Sequence, residues 1–451
     1  MTLAISKGTL PGPAYAADFK ALQASSNGVA ASWLAPIREQ AWAKFSKLGF
    51  PTARRGNERW KYTNLAPLAK VDFRLARPDV SKAPDFPEIK AVAPWDDAWT
   101  TLVFLDGRFV NRLSRPGGGD VVAMDLAAGL RARLDLAEPH LTKVQAVDED
   151  HFTLLNTAFT EDGALIHVPD GAGPTPIHLL FLSSDSKTPQ ACHPRVLVIA
   201  GRNSQANIIE TFVSLGDKSQ NFTNVVAEYY IDEGAKVSHH RVLMENERSF
   251  HMGNTRVYQM RDSAFNSVAF ATGQAIGRND VHVRLDAEGA ECNLSGLYMT
   301  NNKQHADNNI SVTHEKPRGT SHQYFKGILA GQSHAVFSGI VVVKPGAAKT
   351  YADQKDMNLL LSRGAEIDTK PSLEILADDV KCFHGATAGH VDQDTIYYMR
   401  SRGLDLETAK SMLIRGFASE VAAKVKLHAL SRYIEGVTDR LLPQFAIEGK
   451  K

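Results

Sequence analysis

At 451 residues the chain has room for about three domains or one long repetitive one. An apolar fraction of 43% with 22% charged residues supplies a sizeable core and excludes extensive disorder. Lys and Arg number 51 against 50 Asp and Glu, a net charge of +1, which leaves no basic surplus for a phosphate backbone and excludes a dedicated nucleic-acid binder.

Apolar runs are strand-sized, far below the ~20 residues of a spanning helix, so no membrane role is expected. The first thirty residues lack a basic start followed by an apolar stretch, so no signal peptide is expected either. Residues 31–48 place Trp33, Leu34, Ile37, Ala41, Phe45 and Leu48 at helical spacing. The Pro-rich, acidic segment 81–95 is expected to be a loop, and 101–110 alternates around Asp106-Gly107 as a small hairpin.

From 163 to 388 the helical period gives way to short β-branched runs such as 177–182, 195–200, 237–244 and 341–343. Turns of Gly plus a small residue recur at 234, 289, 319, 346 and 364, with Asp262 near the middle of the one double-length step. Residues 319–328 are repeated at 331–340. Such a coil cannot bury its apolar face alone and must stack on its neighbours, which predicts a solenoid; an antiparallel sandwich gives a similar spacing. After 389 the helical period returns. Asp405 is the predicted N-cap of a helix over 406–429, with Leu406, Ala409, Leu413, Phe417, Val421 and Val425 on one face, and a short polar tail follows Pro443. The expected divisions are 1–162, largely helical; 163–388, a β-helix core; and 389–451, helical.

No nucleotide-binding loop, nucleophile elbow or zinc-protease helix is present. Cys192, Cys292 and Cys382 lie about a hundred residues apart with no Cys-x-x-Cys unit, which fits a reducing cytoplasm. If 382–384 is a strand, the Cys382 thiol and His384 imidazole share a face. That pair admits three roles: metal ligands, a thiolate–imidazolium nucleophile, or a buried structural pair. His305 and Asp307 likewise share a face and could ligate a metal, with the alternative that they are ordinary surface or core groups. An iron–sulfur cluster takes about four ligands, mostly thiolates, so three scattered Cys could hold one only across an interface.

The run Asp378-Asp379-Val380-Lys381-Cys382-Phe383-His384-Gly385-Ala386-Thr387, with 368–374, 325–327, 358–362, 401–404 and Glu58-Arg59-Trp60-Lys61-Tyr62-Thr63, resembles the SufB/SufD family of the SUF iron–sulfur assembly machinery. The Cys-Phe-His-Gly-Ala-Thr stretch resembles the SufD branch, because SufB carries a His-Glu-Ala-Thr-like sequence there. Phe383 stands where a Ser is common and Tyr351 where an Asp is common. The resemblance implies a mainly β fold, a right-handed parallel β-helix core flanked by helical N- and C-terminal domains. It implies a non-enzymatic scaffold in a complex of one SufB, one such subunit and two SufC ATPases. In that complex the β-helix pairs with SufB and the C-terminal helices dock SufC; Leu406, Leu413, Phe417 and Val421 are the docking candidates. His384 is the implied ligand of a transient iron–sulfur cluster shared with a SufB Cys, with Cys382 secondary and no cofactor held tightly by the chain alone. A homodimer when isolated is a further possibility. The competing expectations are a β-helix thiol enzyme and a carbohydrate-active enzyme, the latter disfavoured because the acidic residues show no stacked pairing.

Overall fold

The computed structural model describes residues 8–25, 33–54, 56–143 and 150–445. The start of the 31–48 segment and the tail after 445 lie outside the described residues.

The core is a parallel β-solenoid. Its two sheets are filled alternately by successive strands, each pairing in parallel with the strand after next. One sheet stacks Asn221–Ile231, Phe250–Gln259, Ile276–Leu285, His305–His314, His334–Val343 and Glu366–Ile375. The other stacks Gln205–Ser214, Lys236–Met244, Ala264–Thr272, Glu291–Thr300, Thr320–Leu329, Tyr351–Leu360 and Lys381–His390. Among the described residues, antiparallel pairing between strands is confined to the hairpin Thr100–Leu105 with Arg108–Phe109 and to Val122–Asp125 against Gly163–Val168, which rules out the sandwich. The repeated segment falls on consecutive strands of opposite sheets, so it copies a turn and a strand rather than a whole coil.

One corner of the coil is a ladder of left-handed residues. Asn203, Gly234, Asp262, Gly289, Arg318, Lys349 and Asp379 all have positive φ. Each of the first six donates its backbone N–H to the next turn, as in Asn203 N to Glu233 O and Gly234 N to Arg261 O. Gly and Asn or Asp adopt this conformation at least cost, which explains the turn signals at Gly234 and Gly289 and makes Asp262 the turn in the double-length step; the signals at Gly319 and Gly346 fall close to the ladder residues Arg318 and Lys349, and Gly364 lies outside the ladder.

Inside, stacked aromatics run from Phe104 through Phe181 to Phe212, with ring centroids 4.8 and 4.7 Å apart. Central strands are covered on both faces; Arg195–Ala200 is buried throughout, which gives near-continuous apolar runs rather than alternation. The helices Pro13–Ser25, Leu34–Leu48 and His151–Phe159 enclose Tyr15, Phe19, Phe45, Phe50 and Phe159 against the outer face of the first sheet at Phe222 and Phe250. On the outer face of the second sheet lie Gln393–Ser401, Leu406–Ala422 and His428–Leu441, packed on Val242, Phe270, Leu297 and Ile328.

Two expectations are corrected. The segment 81–95 is not all loop, because Phe86–Val92 is helical with a Pro in its first turn, where the missing N–H costs nothing. The helix expected over 406–429 ends at Ala422, and a separate helix starts at His428.

Candidate functional site at the open end of the solenoid

Glu366–Ile375 and Lys381–His390 are the terminal strands of the two sheets. Among the described residues nothing pairs with their outer edges, and Lys381–His390 is exposed at nearly every position. Half the N–H and C=O groups of such edges are left for solvent or another chain. The apolar side chains here are also uncovered: Leu376 is 51% and Phe383 58% exposed. The coil is therefore open, with its interior visible from one end.

Cys382 and His384 sit on that end. In register Cys382 follows Ala352 and His384 follows Gln354; both partners are buried, Ala352 within the solenoid core. The two residues thus share the inward row, as the alternation predicts, and Phe383 lies outside near Tyr351, rings 6.2 Å apart. Cys382 is half-buried against the core. Burial pushes its thiol up, against a backbone N–H from Ala352 that pulls it down, so the thiolate a nucleophile requires is disfavoured. The His384 imidazole is exposed.

Beneath His384 the interior turns polar. Gln354 stacks in register on Gln323; both are buried, and neither side-chain amide finds a hydrogen-bond partner among the described residues. Beside them Asp356 accepts from Asn358 Nδ2 at 2.7 Å. Burial raises its carboxyl to about 6, against the hydrogen bonds that lower it. Among the described residues no group of three or more His, Cys, Asp and Glu side chains converges on an ion-sized space.

The other candidates are committed elsewhere. Asp307 accepts hydrogen bonds from the Thr63 hydroxyl and the Arg278 guanidinium, and His305 Nε2 lies 3.1 Å from the same Thr63 oxygen. The 58–63 motif is a clamp: Arg59 pairs with Asp280 at 2.8 Å, the Trp60 ring lies 3.9 Å from the Arg278 guanidinium, and Glu58 pairs with Lys370 at 3.0 Å. It fastens the N-terminal region to the first sheet. Sequence reasoning found the motif but not this role.

Of the docking candidates, Val421 is buried against the chain's own solenoid, Leu413 and Phe417 are half-buried there, and Leu406 is exposed. Lys326 fixes this packing, donating to Phe417 O at 3.0 Å and pairing with Glu420 at 2.8 Å. The outward surface of these helices carries Tyr397, Tyr398 and Met412, exposed to 75%, 58% and 51%, which the stripe-based analysis did not single out.

The family description "SUF system FeS cluster assembly, SufBD core domain" matches residues 181–417, and "SufBD protein N-terminal region" matches 13–175. An iron–sulfur cluster assembly SufBD family protein of Synechocystis is 32% identical, covering 90% of this chain and 91% of that protein. The iron–sulfur cluster assembly protein SufD of Escherichia coli is 29% identical, covering 90% and 93%. The chloroplastic protein ABCI7 of Arabidopsis thaliana is 36% identical over 61% of this chain and 59% of its own length.

Proposed function

The chain belongs to the SufBD family of the SUF iron–sulfur cluster assembly system, and on that premise we propose that it is a SufD-like scaffold whose open solenoid end pairs with SufB. The observation that carries this is the uncapped last coil, which offers two strand edges, exposed apolar side chains and His384 on one surface. Edge pairing satisfies the free backbone groups, and burial of Leu376 and Phe383 adds an apolar contribution.

His384 supplies one ligand to the nascent cluster and a SufB Cys supplies another; Cys382 stands beside it as a secondary ligand. The cluster is cargo, not a resident group. An imidazole binds iron more weakly than a thiolate does, which suits a scaffold that must release what it builds. The C-terminal helices dock SufC, whose ATP hydrolysis drives rearrangement of the interface; the contact surface we assign is Leu406, Met412, Tyr397 and Tyr398, with Leu413, Phe417 and Val421 holding the helix in place behind it. This chain performs no catalysis of its own, and the reading sets it in a reducing cytoplasm, where clusters and unpaired thiols persist. In the absence of SufB the same edges suit a second copy.

The test is co-expression with SufB and SufC of the same organism, anaerobic purification, and measurement of iron and sulfide in wild type and His384→Ala. Equal yield of complex with iron and sulfide lost from the variant is expected. Equal yield with unchanged content would remove His384 from the assembly site.

A further inference from the structure

A cleft of about 510 Å³ lies between the outer face of the second sheet and the junction between the helices Leu406–Ala422 and His428–Leu441. This is the size range of small-molecule sites. Its floor is a polar row created by coil register: Asn207, Ser238, Asn266 and Asn293 follow one another on successive strands. Its wall is the 423–427 junction, which brings Lys424 and Lys426 over the row. No carboxylate lines it.

Two groups in the cleft sit in unusual surroundings. His240 lines the cleft and is 4% exposed, and its Nδ1, itself buried, has no hydrogen-bond partner among the described residues, an arrangement that costs free energy. Lys424 is exposed as a residue, yet its ammonium lies against the sheet, donating to Ser295 Oγ at 2.9 Å and 4.5 Å from the centre of the Tyr324 ring. Glu420 pairs with Lys326 at 2.8 Å, and Asp353 Oδ1 lies 3.0 Å from His322 Nδ1.

We propose that this cleft binds a small phosphate-bearing molecule, its phosphate oxygens held by Lys424 and Lys426 and its polar body by the Asn and Ser row, with the neutral His240 ring in the cleft wall. Two ammonium point charges with separate neutral donors suit a multi-oxygen tetrahedral anion, whereas a planar carboxylate is matched best by an Arg fork, and no Arg lines the cleft. Hydroxyl and amide donors along the floor match a sugar or another polyhydroxyl body. The occupied site would tie the C-terminal helices to the solenoid, because its ligands come from both.

Titration calorimetry of the full chain with inorganic pyrophosphate and with ribose 5-phosphate tests this, with ribose as the uncharged control. Saturable binding of both anions and none of ribose is expected. The double variant Lys424→Gln/Lys426→Gln should weaken pyrophosphate by about tenfold or more, roughly 1.4 kcal/mol, with the circular dichroism spectrum unchanged. Should the double variant not fold, Lys426→Gln alone is expected to show a weaker loss of the same kind, while Lys187→Gln, remote from the cleft, has no effect. Absence of saturable binding up to about 10 mM, or equal binding by wild type and the folded Lys426→Gln variant, overturns the proposal.

Discussion

Glu210 and Arg241 form an ion pair in the middle of the solenoid, both essentially inaccessible, with Arg241 Nη2 2.6 Å and Nε 3.2 Å from one Glu210 oxygen. Burial alone would raise the carboxyl. The guanidinium overrides that and, with the Tyr229 hydroxyl donating to the other oxygen at 2.6 Å and His239 Nε2 3.4 Å away, holds it well below the usual carboxylate range. Removing one partner strands the other charge, so Glu210→Ala should cost about 3–5 kcal/mol, while Glu210→Leu/Arg241→Met together should cost clearly less. Equilibrium urea unfolding of the three proteins decides it; a double variant as unstable as the single would contradict the assignment. Such pairs were not legible beforehand, because an isolated Glu in a β-branched run looks like a surface residue until its register partner is known. Cys382 and His384 were legible as a pair, because a period of two needs no knowledge of the rest of the fold.

Elements succeeded or failed for equally local reasons. The hairpin at Asp106-Gly107 was legible because both turn residues have positive φ, 45° and 80°, the condition that selects Asp-Gly. Phe86–Val92 was missed because a Pro at the start of a helix and a Pro in a loop look alike over a short window. The break after Ala422 was missed because no Gly or Pro marks it, only Lys424 and Lys426 turning the chain over the sheet. Coil spacing is set by close inner contacts as much as by turns. A Cβ on Gly296 would strike the Phe325 ring, and one on Gly327 the Tyr298 ring. Gly296→Ala is therefore expected to lose about 1–3 kcal/mol by overpacking, read as a lower urea midpoint with an unchanged m-value; an unchanged midpoint would mean the stacked coils yield more easily than their packing implies.

For the whole molecule, buried histidines set the acid limit. Burial pushes His178, His193 and His240 down to about 3 and His314 to about 4. In the unfolded chain each titrates near about 6.5, so below that value the unfolded state binds more protons. Their stabilising contribution is complete above about pH 6.5 and is lost as pH falls towards their folded values, by up to about 1.4 kcal/mol per unit for each. Asp162 and Asp356, both raised to about 6 by burial, act oppositely: they favour the fold when protonated, and that contribution disappears as pH rises through about 6. With His305 also at about 3 and His282 at about 4, the buried histidines outweigh the raised carboxyls, Asp106 and Asp307 included, so the urea midpoint should fall between about pH 7 and pH 5; a midpoint that rises instead would contradict the histidines' burial as neutral groups. The same whole-molecule view shows why the proposed assembly surface was only half visible in the sequence. Cys382 and His384 could be found locally, but that the solenoid ends at them, uncapped, depends on how the coils stack.

That open end is best tested by amide hydrogen exchange on the chain alone as a monomer and in complex with SufB and SufC. Strands Glu366–Ile375 and Lys381–His390 should exchange fast alone and become the most strongly protected segments on assembly, while Phe250–Gln259 stays unchanged. A complex that forms with no added protection in the last two strands would contradict the placement of the partner, and with it the role given to His384.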